Sequence, residues 1–159
     1  MANNYVQMSE QYDLTPEQVK WFQDFLALCE AHDSLDAETP DDAAKLVRLG
    51  EIFLDCDNDV EDSVVEAFDY FDLNVKESTV WVCDQDGEFI NTATVCAVLQ
   101  AMLKDTNSPE VLTGTCAETC DRPHVGEFGG GWFAVSAKEI RMGNSWDAAE
   151  KAAGEMKSK

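Results

Sequence analysis

The spacing of apolar residues first turns from helical to alternating near residue 76, and that change restricts the fold more than any other feature. Before it, the spacing is helical. Thr15-Pro16-Glu17-Gln18 reads as a helix start, with Thr15 as N-cap, Pro16 in the first turn and Gln18 closing a capping box. Val19, Phe22, Leu26 and Cys29 then recur on one helical face. After a loop at 32–40, a second helix from near Asp41 carries Leu46, Leu49, Gly50 and Phe53. A third turns Val60, Val64, Phe68 and Phe71 inward and Asp62, Glu66 and Asp69 outward. Residues 1–14 are polar and read as a loosely held lead-in.

Beyond residue 76 alternating stretches appear between helical ones. Thr79-Val80-Trp81-Val82-Cys83 is a strand, Asp84-Gln85-Asp86-Gly87 a turn, and Glu88-Phe89-Ile90 a short return strand. Asn91 or Thr92 caps a helix with Val95, Val98, Leu99 and Met102 inward, ended by Asn107-Ser108-Pro109. Val111 to Cys116 and Trp132 to Ser136 are two more strands. Ser145 caps a last helix carrying Trp146, Ala149, Ala153 and Met156. The expectation is an α+β fold in which N-terminal acidic helices precede a small antiparallel or mixed sheet with β-α-β-β-α order. At 159 residues the chain is expected to be one domain (1–159), with an acidic helical part at 15–75 and an α+β part at 76–159.

Charge decides which partners are plausible. The chain has 32 Asp and Glu against 11 Lys and Arg, a net charge of -21. Colloidal stability of a small domain needs only about 2 to 8 units, and the excess adds self-repulsion. Nucleic acid and anionic membranes are therefore poor direct partners, and basic proteins and metal cations better ones. The N-terminus lacks a basic region followed by an apolar stretch, and no apolar run reaches the ~20 residues of a membrane span. A cytoplasmic location follows as an expectation, with all six cysteines as thiols. Cys29, Cys83 and Cys96 sit in apolar patterns and read as small core residues.

Acidity is densest from Glu30 to Asp72, where fifteen carboxylates face only Lys45 and Arg48. Neighbours on a helix face lie ~5–6 Å apart, and phosphates ~3.4 Å apart along a DNA strand, so such a face approximates a phosphate row without copying it. The candidate partner-binding residues are Asp55, Asp57, Asp59, Glu61, Asp62, Glu66, Asp69 and Asp72. The simpler alternative is a solvated helical face.

Three further motifs suggest chemistry that their details do not sustain. Asp55, Asp57, Asp59, Ser63 and Glu66 fall at calcium-loop positions, but Val60 replaces the glycine of the sharp turn. An acidic helix start explains the same residues. Cys116, Cys120 and His124 have the ligand types of a zinc site without its paired two-residue spacing. The same Cys and His lack any orienting group for nucleophilic catalysis, and Asp121 beside Cys120 disfavours a thiolate. Gly129-Gly130-Gly131 feeds a strand and lacks the ending of a phosphate loop; it reads first as a hairpin entry, and otherwise as unusual backbone angles or close backbone approach. No catalytic residue, metal or cofactor is assigned.

Thr119-Cys120-Asp121-Arg122-Pro123-His124-Val125-Gly126-Glu127-Phe128-Gly129-Gly130-Gly131, with Phe133 to Ile140 after it, resembles the C-terminal signature of small uncharacterised proteins carried by bacteriophages and plasmids. His124 stands where that signature usually has a second basic residue. The resemblance covers the C-terminal part only and implies a mobile-element source, with no catalytic residue to transfer. Mobile elements encode acidic proteins that imitate DNA. The expected function is thus binding and inhibition of a basic, nucleic-acid-binding host protein, of the anti-restriction or anti-CRISPR type, by a chain that is not an enzyme. The alternatives are a general interaction module whose acidity only keeps it soluble, and a metal-dependent or cysteine enzyme.

Overall fold

The computed structural model describes residues 4–53, 71–84, 90–120 and 129–157. Its first element overturns the expected loose lead-in. Val6, Met8, Tyr12 and Leu14 alternate with Gln7, Ser9, Gln11 and Asp13 at the period of a strand with one buried face. That segment is β1 (Asn4–Asp13), with Met8, Tyr12 and Leu14 buried. It lies in the interior of the sheet.

The other strands are β2 (Phe71–Val75), β3 (Thr79–Asp84), β4 (Val111–Cys120), β5 (Gly129–Ser136) and β6 (Ile140–Asn144). They form one sheet in the order β2-β3-β1-β4-β5-β6, every neighbour antiparallel. The helices are α1 (Pro16–Ala31), α2 (Pro40–Ile52), α3 (Thr92–Asp105) and α4 (Ser145–Lys157). The fold is α+β, but the expected arrangement is wrong: a strand precedes the first helix, helices are interspersed among strands, and among the described residues the sheet has six strands.

Each correction has a local cause. Phe71 and Asp72, expected at the end of a third helix, begin β2, where Phe71, Leu73 and Val75 alternate with Asp72 and Asn74. β2 pairs β3 across the turn at 76–78, placing Asp72 opposite Cys83. β3 thus finds its neighbours in β2 and β1 rather than in a return strand, and Ile90, expected in that strand, is a buried loop residue donating to the Val6 carbonyl at 3.1 Å. β6 was not expected. Its apolar residues Ile140 and Met142 are separated by Arg141, too short a run to stand out. The last helix is capped by Asn144, whose side chain accepts from the Asp147 N–H at 2.8 Å, and not by Ser145. Trp146 and Met156 on this helix are exposed.

The starts of α1 and α3 follow the sequence signals. Thr15 Oγ1 accepts from the Gln18 N–H while Gln18 Oε1 accepts from the Thr15 N–H, a complete capping box. Asn91 Oδ1 accepts from the Ala93 and Thr94 N–H groups. After α3, Asn107 takes the left-handed conformation (φ 48°) that ends helices and that Asn tolerates.

The core lies between the helices and one face of the sheet. α1 contributes Phe22, Phe25 and Cys29, α2 contributes Leu49 and Ile52, and Phe53 follows. The sheet contributes Met8, Tyr12, Val80, Val82, Phe133 and Val135. α3 is the central helix, with Val95, Cys96, Val98, Leu99, Met102 and Leu103 all buried; a helix apolar nearly all round has to be enclosed. Burying side chains of this size contributes roughly 1.5–3 kcal/mol each, enough to draw a polar-looking segment such as β1 into the sheet. No helix among the described residues is long and apolar enough to cross a membrane.

Candidate functional site

Of the candidate partner-binding residues, Asp55, Asp57, Asp59, Glu61, Asp62, Glu66 and Asp69 lie outside the described residues, as do the calcium-loop pattern at 55–66 and His124. Asp72 is placed by its backbone alone, in β2. The described half of the acidic segment runs from the end of α1 through α2, and there the site can be built.

α1 and α2 are tied together at one carboxylate. Asp105, at the end of α3, accepts a hydrogen bond from the Trp21 indole N–H at 2.7 Å and an ion pair from Arg48 at the same Oδ2 atom. A carboxylate at a helix C-terminus opposes the helix dipole; the two donors offset that cost. Arg48 also reaches Glu51 at 3.2 Å. Trp21 stacks on Phe25 with ring centroids 5.3 Å apart, and these rings, Leu28, Arg48 and Ile52 line a small crevice between α1 and α2. Val47 is 62% exposed nearby on α2.

Around this crevice the cations are already taken. Lys20 pairs with Asp24, Lys45 with Asp41 and Asp42, and Arg48 with Glu51 and Asp105. The Lys45 hydrogen bond, aided by the Asp36 N–H, holds the Asp42 carboxyl below its ordinary range, and hydrogen bonds to Asp41 and Asp42 raise Lys45. Glu30 and Glu38 are exposed and meet no Lys or Arg among the described residues. The surface therefore keeps a net negative charge beside exposed apolar area.

The cysteine motif resolves differently. Cys116 and Cys120 both lie on β4, opposite Met8 and Asn4 of β1. Four residues of strand separate them by about 13 Å, whereas zinc binds each sulfur at ~2.3 Å, so this pair cannot share one ion. Among the described residues no group of three His, Cys, Asp or Glu is placed to hold a metal. Burial raises the Cys116 thiol, the Gly131 N–H opposes this, and nearby Glu118 adds to the rise. The thiol is thus not activated as a nucleophile. At the glycine run the backbone of β5 comes close to β4. A Cβ on Gly131 would stand 2.6 Å from Cys116 Sγ, and one on Gly130 would stand 3.0 Å from the Cys116 carbonyl oxygen.

Sequence reasoning missed a cleft beside these glycines. It has a volume of about 390 Å³ and is bounded by Cys116, Glu118, Met142, Asn144, Asp147 and the start of α3 at Thr92. Only the acidic residues at spacings that suit a strand and a helix start, Glu118 and Asp147, hinted at it. Comparison with protein-family profiles, with curated proteins and with solved structures finds no match.

Proposed function

We propose that this chain is a stoichiometric binding protein acting in the cytoplasm, which presents carboxylates to a basic, nucleic-acid-binding partner and displaces nucleic acid from it without binding nucleic acid itself. A phage or plasmid origin, of the anti-restriction or anti-CRISPR kind, fits the C-terminal signature. The observation that carries the reading is the use of cations on the α1–α2 surface: Lys20, Lys45 and Arg48 are each held by carboxylates of their own chain, while Glu30 and Glu38 remain exposed. Such a surface draws a Lys- and Arg-lined groove by long-range attraction, with association that slows as salt rises. The crevice at Trp21 and Phe25 supplies apolar contact within the charged field.

A second reading, a general interaction module, is favoured by the other face of the sheet. Trp81 and Trp132 are 41% and 43% exposed there, among the uncharged Gln7, Ser9, Gln11, Thr113 and Thr115. Capture of partners from bacterial lysate, with and without nuclease, followed by elution with duplex DNA, separates the two. Release of a captured protein by DNA supports mimicry, and retention in its presence supports the general module.

A further inference from the structure

Among the described residues β6 is an edge strand, and its free edge borders a groove. The Ser136 N–H donates to the Glu139 carbonyl at 3.0 Å, closing the β5–β6 hairpin. Hydrogen-bonded and non-hydrogen-bonded pairs alternate along an antiparallel ladder. Arg141 and Gly143 therefore bond back to β5, while the N–H and C=O groups of Ile140, Met142 and Asn144 point away from it. An edge of this kind is a ready template for another strand.

The groove beside that edge is polarised. One part, about 450 Å³ between α3 and β6, is floored by Ala93, Ala97, Ile140 and Met142 and ends at Lys104, Lys138 and Glu139, the last of which is already paired with Arg141 at 2.8 Å. The other part is the cleft that ends at Glu118 and Asp147, and Met142 lines both. Neither Lys104 nor Lys138 pairs with a carboxylate among the described residues, although carboxylates outnumber cations almost threefold in the chain; Lys104 donates only to Gln100, at 2.8 Å. Glu118 is half-buried and accepts no hydrogen bond from a described residue. Met142 is 47% exposed between the two charged ends.

We propose that this groove binds an extended peptide segment of a partner protein, which adds to β6 as an antiparallel seventh strand. Antiparallel pairing continues the pattern of the whole sheet and is slightly the more stable form. It also sets the direction of the peptide. β6 runs from the lysine end to the carboxylate end, so the incoming strand carries a basic residue near its N-terminus and an acidic residue near its C-terminus. Alternate apolar side chains between them cover Ile140 and Met142. Main-chain hydrogen bonds provide affinity, and the charged ends and apolar floor provide selectivity. This site is separate from the α1–α2 surface, and either can fail without the other.

The test is a titration of the full-length, isotope-labelled chain, followed by amide chemical shifts. The probes are two blocked heptapeptides of the same composition, Lys-Val-Thr-Val-Thr-Val-Glu and its reverse order. The first is expected to shift the amides of Ile140, Met142 and Asn144 and of α3, and to bind at least fivefold more tightly than the reverse. Lys104→Glu with Lys138→Glu should abolish that preference, and both side chains are exposed, so folding is retained. Met142→Pro removes an outward N–H without touching the β5 ladder and should weaken both peptides, whereas Met142→Ala keeps the N–H. Absence of shifts at β6 with either peptide, or equal binding of the two orders, overturns the proposal.

Discussion

The tip of the Phe133 ring on β5 packs against Gly114 on β4, and a Cβ at Gly114 would stand 2.3 Å from Phe133 Cζ. The ring is 2% exposed and belongs to the core, so the glycine is what lets a large aromatic face a neighbouring strand at this distance. Gly114→Ala is expected to destabilise the fold by about 1–3 kcal/mol, the usual range for overpacking. Adding Phe133→Leu should recover part of that loss, because the two residues are in contact. Urea midpoints of the two single variants and the double variant measure both effects; simple additivity would contradict the contact.

Asp105 joins three helices through one carboxylate. Asp105→Ala releases the Trp21 indole and Arg48 together. Both charged partners are more than a third exposed or close to it, so solvent screening limits the loss to about 1 kcal/mol. Chemical denaturation reads the stability, and red-shifted tryptophan emission is expected as Trp21 loses its partner. Asp105→Asn keeps an acceptor for Trp21 and should retain the emission while losing the Arg48 ion pair.

Alkaline pH should destabilise the protein through two buried groups. Burial pushes the Cys29 thiol from 9.0 up to about 12. Burial foremost, then Glu10 and Cys96, raises the Tyr12 hydroxyl above its usual value of 10.0. The sign follows from linkage: the folded state keeps both protons where the unfolded chain releases them. Their contribution is complete below pH 9 and declines as pH rises from there toward 12. Thermal unfolding across that window is expected to show a falling midpoint, and Cys29→Ala should flatten the fall. An unchanged slope in the variant would remove Cys29 as a cause.

Elements with strong local signals were legible in the sequence. The capping box at Thr15 and Gln18, the Asn91 cap and the apolar stripe of α3 each specify their structure within a few residues. Strands decided by tertiary pairing were less so. β1 carries Glu10 on its buried side, where the carboxylate accepts from the Thr115 N–H at 2.8 Å as β1 and β4 diverge. That single charge masks an alternation otherwise complete from Val6 to Leu14. In β2 the helical spacing of the preceding residues runs into Phe71, so the period changes without a breaker. The groove along β6 was not legible, because it brings together α3, β4, β6 and α4 from distant parts of the chain. The acidic character was legible from composition alone, and the structure adds which cations are already held.

The most direct test of the account is competition for one basic groove. A partner captured from host lysate is bound to labelled duplex DNA, and this chain is added at increasing concentration and several salt concentrations. The account predicts stoichiometric displacement of the DNA that weakens as salt rises. It also predicts slower association for Asp62→Asn, Glu66→Gln, Asp69→Asn together, and for Glu30→Gln with Glu38→Gln. DNA that stays bound at saturating concentrations of the chain, or displacement unchanged in both sets of variants, would contradict it.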